Sequence, residues 1–426
     1  AAVAKAGAPL ALVVAQFAAR IALSGSSYQW ASRLASPRVG WFFGWLSFWF
    51  LAIAVVAIAN ALASQAIMPL LGMDADEEVA RWLTLVILVV QALLVIVSTR
   101  LLGRVTSAAV AVELAIVAVL VVVLLVVALA TGTVQPQNLV SRGVAEADPQ
   151  YFALGGGLMA GMLMGLTTLV GFDSAANLAE EARDPYRTVP RAIVGSVIAA
   201  AVAGFAFLLT LTVSIQDVEA VTNAPPPVAA IIRGQLGPVW EQLLLAGIAF
   251  SMFGAGTVVL AAAARQAFAM ARDGRFPASR LIGRVDRRTR TPVFATLLIV
   301  AVGCVLMLAL PGEALLQLII GSTILPALIY GGVVVLYLVV RRRLERRTGG
   351  FSLGRAEVPV AVAALVWIVL ALLALVTPGD ALVPALIILG LVAAGGVYFV
   401  LLLRLRPGVM DEQPAADVEV SSADTP

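Results

Sequence analysis

Histidine is absent from the 426 residues, and cysteine occurs once, as Cys304. The first absence removes imidazole metal sites and histidine-based acid–base catalysis, so any proton relay must use carboxylates. The second removes an intramolecular disulfide. Charge is scarce as well: 12% of residues are charged against 61% hydrophobic, with a mean hydropathy of +1.02. A soluble domain of this length cannot be that apolar, so the chain reads as an all-α polytopic membrane protein. No metal-spaced cluster and no nucleophile–base pair accompanies this composition, so neither a cofactor nor an intramembrane enzyme is expected.

About 20 helical residues cross a bilayer core. Dividing the chain at its charged and Pro/Gly clusters gives eleven spans, near 6–22, 39–67, 80–99, 105–131, 152–178, 189–214, 238–264, 292–310, 314–340, 358–377 and 381–403. Lys and Arg collect in alternate loops: 24 of the 28 basic residues fall on one side, leaving Lys5, Arg81, Arg142 and Arg233 on the other. The positive-inside rule makes the richer side cytoplasmic. The C-terminus is then inside and residue 1 outside. The pI of about 9.3 is a topology signal, with no nucleic-acid partner implied. One transmembrane body would occupy 1–406, and the acidic, Pro-containing stretch 407–426 reads as a disordered cytoplasmic tail.

The most informative stretch runs from Gly155 to Pro190. It opens as an apolar segment with glycines at 155, 156, 157, 161, 165 and 171, places Asp173 just after Gly171 and Phe172, and closes in a charged turn. A carboxylate at membrane depth costs about 2.5 to 3.5 kcal/mol on insertion scales, so Asp173 must face protein or water. The glycines lower helix propensity by about 1 kcal/mol each relative to Ala, which suits the span to unwinding near its middle. Gly157, Gly161 and Gly165 also recur at the spacing of a close helix-contact face. Another acid inside a predicted span is Glu113, expected toward the cytoplasmic third of its helix, where snorkelling to the interface competes with burial. Ser251 and Thr257 supply hydroxyls to the 238–264 span.

GFDSAANLAEEARDPYRTVPRAI, starting at Gly171, resembles the sixth-helix signature of amino-acid permeases in the amino acid/polyamine/organocation superfamily, closest to its amino acid/choline branch. AMARDGRFPASRLIGRVDRRTRTPV is similar to the loop after that family's eighth helix, FSLGRAEVPVAVAALVW to the entry of its eleventh, and WASRLASPRVGWFFGWLSFWF matches near the start. The resemblance implies a twelve-helix, leucine-transporter-like inverted-repeat fold with the first helix missing here, since AGAPLAL is similar to the stretch that follows it.

It further implies a secondary transporter of an amino acid or related amine, working by alternating access in the plasma membrane. Substrate would bind at the unwound Gly171 with Thr167, Thr168, Val170, Phe172 and Asp173 around it. Asp173 would also gate. Glu113 stands about where proton-driven relatives carry a Lys and is the proton-coupling candidate, Ser251 stands where sodium-coupled members place ion-ligand hydroxyls and is a coupling candidate of that kind, and exchange against a counter-substrate is the other possibility. The alternative is a non-transporting membrane sensor or assembly protein with a permease body, which the missing helix favours.

Smaller expectations complete the reading. Trp41, Trp45 and Trp49 form an interfacial belt or a packing ridge. Thr188 caps the helix after the charged turn, with Pro190 in its first turn. The acids Asp74, Asp76, Glu77 and Glu78 lie in a solvated external loop, and Ser214–Gln242 is an external loop with a short surface helix.

Overall fold

A computed structural model of the chain describes residues 2–20, 26–146, 148–153, 156–159, 161–162, 170–173, 184–223, 226–286, 288–289, 291–310, 314–344, 351–377 and 382–411. Among these the architecture is helical without strands. The principal helices are α1 (Ala2–Ala18), α2 (Ser26–Leu34), α3 (Pro37–Leu62), α4 (Glu77–Val97), α5 (Thr99–Ala130), α6 (Pro185–Ser214), α7 (Pro227–Leu236), α8 (Pro238–Arg272), α9 (Val293–Ala309), α10 (Ala314–Val340), α11 (Glu357–Val376) and α12 (Leu382–Leu405). Eight of the described helical segments are long and apolar enough to cross a membrane, and Ala8–Ala18 and Val293–Ala309 are shorter apolar helices. These ten match ten of the eleven predicted spans; most of 152–178 lies outside the described residues.

Local chemistry sets the helix ends. Ser36 is extended and accepts a hydrogen bond from Val39 N at 3.2 Å, with Pro37 at the first helical position of α3. Asp76 caps α4 through Val79 N at 3.0 Å, and Glu77 and Glu78 follow in the first turn, favourable at the positive end of the helix dipole. Ser98 ends α4 and caps α5 through Leu101 N. Gly237, at φ +86°, closes α7 just before Pro238 opens α8.

Two expectations about helix ends are corrected. The helix after the charged turn begins at Pro185, with Asp184 left-handed at φ +48° before it, so Thr188 and Pro190 lie inside α6 rather than at its cap. Pro185 already supplies the preset φ and missing N–H of a first helical residue, which moves the start upstream. The stretch between the first two predicted spans contains α2, and the segment before Pro238, expected to hold one short helix, holds two, Val218–Asn223 and α7.

Packing divides into three apolar clusters. The largest joins α3, α4, α8, α9, α12 and the first half of α10. A second joins α1, the start of α6, α10 beyond Pro326 and α11, so α10 belongs to both. The third lies between the far end of α5, α6, α7 and the start of α8. Trp41 and Trp45 are buried and stacked at 5.4 Å, Trp41 donating to Arg275 O and Trp45 to Leu391 O, so the tryptophans form a packing ridge against α12.

Two buried polar nodes tie these layers together. Arg20, after α1, pairs with Glu357 at 2.8 Å, both nearly sealed from solvent, and donates to Arg341 O at the end of α10. Gln16 accepts from Leu353 N at 2.7 Å and donates to Phe351 O, which fastens the chain entering α11 to α1. At the end of α8, Arg275 donates to Val409 O and to the Tyr28 hydroxyl, and Tyr28 donates to Asp273 at 2.7 Å. Burial first, then the Asp273 carboxylate, pushes the Tyr28 phenol well above its ordinary pKa, with Arg275 opposing. Met410 is buried beside this node. Pro407–Asp411, expected as the first residues of the tail, form a docked turn, and 412–426 lie outside the described residues.

Candidate functional site

Val170–Asp173 is not helical, and Gly171 has φ +87°, a left-handed conformation that glycine alone adopts without steric cost. This is the glycine singled out in the sequence; 163–169 and 174–183 on either side lie outside the described residues. A break of this kind frees backbone groups that must find partners. Gly171 N donates to the Tyr330 hydroxyl at 3.0 Å, and that hydroxyl donates to Asp173 Oδ1 at 2.8 Å. The Phe172 and Tyr330 rings stack at 5.0 Å with 27° between their planes. One residue on α10 therefore engages three successive residues of the broken segment.

Tyr330 itself is 5% exposed. It lies four residues beyond Pro326 and just before Gly331-Gly332, where α10 passes from the first cluster to the second. Phe172 packs against that second cluster. The site thus joins the broken segment to the half of α10 that also contacts α1 and α11. Of the other sequence-predicted site residues, Val170 is partly buried in the same stretch, and Thr167 and Thr168 lie outside the described residues.

Glu113 and Ser251 come together elsewhere. Both line a cavity of about 380 Å³ bounded by α5, α8, Phe207 of α6 and the Pro226–Ile232 segment, and none of Val170–Asp173 or Tyr330 lines it. Glu113 lies in α5, which begins at Thr99, six residues before the predicted span. Ser251 Oγ donates to Ala109 O at 3.3 Å, so it joins α8 to α5. In the charged turn, Arg187 and Asp184 form an exposed pair at 3.7 Å, while Glu180 and Glu181 lie outside the described residues. Among the described residues no three His, Cys, Asp or Glu side chains are grouped to hold a metal ion.

A broken, glycine-containing membrane segment braced by an acid–tyrosine contact is the arrangement on which comparison with known proteins bears. A model of the amino acid permease family matches residues 2–400. The chain belongs to the amino acid permease family. Among curated relatives, the GABA-specific permease of Saccharomyces cerevisiae is 32% identical over 142 residues, 33% of this chain and 25% of the relative. The branched-chain amino acid permease BcaP of Lactococcus lactis subsp. cremoris is 25% identical over 332 residues, 74% of this chain and 68% of the relative. A putative polyamine transporter of Candida albicans is 26% identical over 214 residues, 49% and 38% respectively. The chain thus spans a quarter of the yeast relative and about two thirds of the bacterial one. As a member of the amino acid permease family with many apolar helices, it is a multi-pass membrane protein of a transporter family.

Proposed function

We propose that this permease is a secondary active transporter that moves an amino acid or related amine across the plasma membrane by alternating access, with its C-terminus in the cytoplasm. The observation that carries the reading is the unwound Val170–Asp173 stretch braced by Tyr330. Exposed backbone amides and carbonyls at a broken membrane helix suit the charged ends of an amino acid. Substrate binds at Val170 and Gly171, with Thr167 and Thr168 as further candidate contacts just before them in the sequence. Phe172 and Asp173 gate the site through Tyr330, whose hydroxyl must release one or both of its partners for the broken segment to move.

Glu113 and Ser251 are the coupling candidates. A mid-helix carboxylate can take up and release a proton, and exchange against a counter-substrate is the other mode. The names of the relatives define the substrate panel: γ-aminobutyrate, branched-chain amino acids and polyamines. The test is uptake of each radiolabelled compound by proteoliposomes carrying the purified chain. Saturable uptake of at least one, with cold substrate competing, supports the reading. Absence of saturable uptake and of counterflow for the whole panel overturns it. Glu113→Gln is expected to lose pH-driven accumulation while retaining counterflow.

A further inference from the structure

Helices α5 and α8 meet along a seam that has no room for side chains. A Cβ on Gly247 would overlap the Ile116 side chain, and one on Gly254 would overlap Ala109. The glycines are seven residues apart on α8, and their contacts are seven apart on α5 in the reverse order. That is about two turns on each of two antiparallel helices, so the pair is held close along a fixed line. Glu113 and Ser251 each sit between the two contact points, three residues from one and four from the other, which places both on the seam's flank.

Both open onto the cavity of about 380 Å³, a size within the range of small-molecule sites. Apart from Gln65, the remaining wall is apolar, from Ile116 and Leu120 of α5 to Ile248 of α8, with Phe207 and Pro226–Ala229 at the other end. Ser251 is committed to Ala109 O. Glu113 has no hydrogen-bond or ion-pair partner among the described residues. A carboxylate at this depth needs a proton or a cation beside it.

We propose that this cavity is a second ligand site, for an amphipathic primary amine whose ammonium sits on Glu113 and whose apolar body lies along α8 toward Pro226. An amino acid zwitterion fits poorly, because its own carboxylate would find no cationic side chain in the lining and a single amide, that of Gln65. A metal ion would find a single carboxylate. Occupation holds Glu113 in its charged form, so the amine opposes any proton exchange there. Ligand binding itself does not rest on the transport reading.

The test is equilibrium binding of tritiated tryptamine to the protein expressed from its own gene and purified in nanodiscs. Saturable binding is expected, weakened at least tenfold by Glu113→Gln and by the cavity-filling Ile248→Trp. Asp173→Asn, which disables the proposed transport site, should bind tryptamine with wild-type affinity. The neutral 3-ethylindole and zwitterionic tryptophan should not displace it. Wild-type affinity in Glu113→Gln, or equal displacement by 3-ethylindole, overturns the proposal. So does equal loss in Asp173→Asn and Glu113→Gln, which would assign the amine to the Gly171 site. Should Glu113→Gln fail to fold, Ile248→Trp and the displacement series decide it. Saturable amine binding without uptake would sink the transport reading alone.

Discussion

Tyr330 is positioned to hold two groups at once, so its hydroxyl and its ring separate cleanly by mutation. Tyr330→Phe keeps the stack on Phe172 and removes the acceptor for Gly171 N and the donor to Asp173. Leaving such buried groups unpaired costs about 1–3 kcal/mol each, so thermal unfolding in detergent should fall measurably and substrate binding should weaken. Unchanged melting would show that the two contacts are energetically idle. Gly171→Ala places a side chain at φ +87°, with an expected cost of about 1–3 kcal/mol and a drop in uptake. The buried Arg20–Glu357 pair predicts a larger effect. Arg20→Ala removes the shorter of the two ion pairs of the sealed Glu357 carboxylate and leaves Arg341 at 3.4 Å, so a loss of about 3 kcal/mol, the low end for a broken buried pair, is expected by thermal melting, with much of it recovered when Glu357 is also replaced by an apolar residue.

The helices differ in how much of their role the sequence discloses. Gly171 and Asp173 were legible because an acid beside a glycine in an apolar run has few physical explanations. The tryptophans of α3 were legible as a ridge or a belt, but burial alone chooses between them. Tyr330 was not legible: it is one aromatic in an apolar 27-residue helix, and its partners are 157 to 159 residues away. Pro326 and Gly331-Gly332 nearby were its one available signal. Arg20 counted only as a cytoplasmic charge, since nothing local reveals that Glu357 reaches it. Helix α2 is short and polar, without the apolar run by which a span is recognised.

At this scale the α5–α8 seam gives its own prediction: Gly254→Val should cost about 1–3 kcal/mol through overpacking against Ala109, with partial rescue by Ala109→Gly. Where α2 meets the end of α8, the folded protein binds the Tyr28 proton more tightly than the unfolded chain does. That contribution is full below the ordinary phenol pKa and is lost as pH rises through and above it. Tyr28→Phe should therefore flatten the alkaline fall in melting temperature, and an unchanged alkaline limb would assign that fall to other groups.

Across the described residues, α2, α5, α6, α8, α10 and α11 each contribute to two of the three apolar clusters, and residues 170–173 meet α10 where it changes from one cluster to another. The family, the membrane setting and the helical fold were all readable from composition and motif. The coupling of layers through buried polar nodes was not, because it depends on contacts between residues hundreds of positions apart. The central claim is that transport passes through the Asp173–Tyr330 contact. Its most direct measurement is initial uptake by proteoliposomes carrying the native protein or Asp173→Asn at matched protein content, with a substrate the native protein takes up. A loss of at least tenfold, or a displaced pH dependence of uptake, is predicted; native rates and native pH dependence in Asp173→Asn would contradict it.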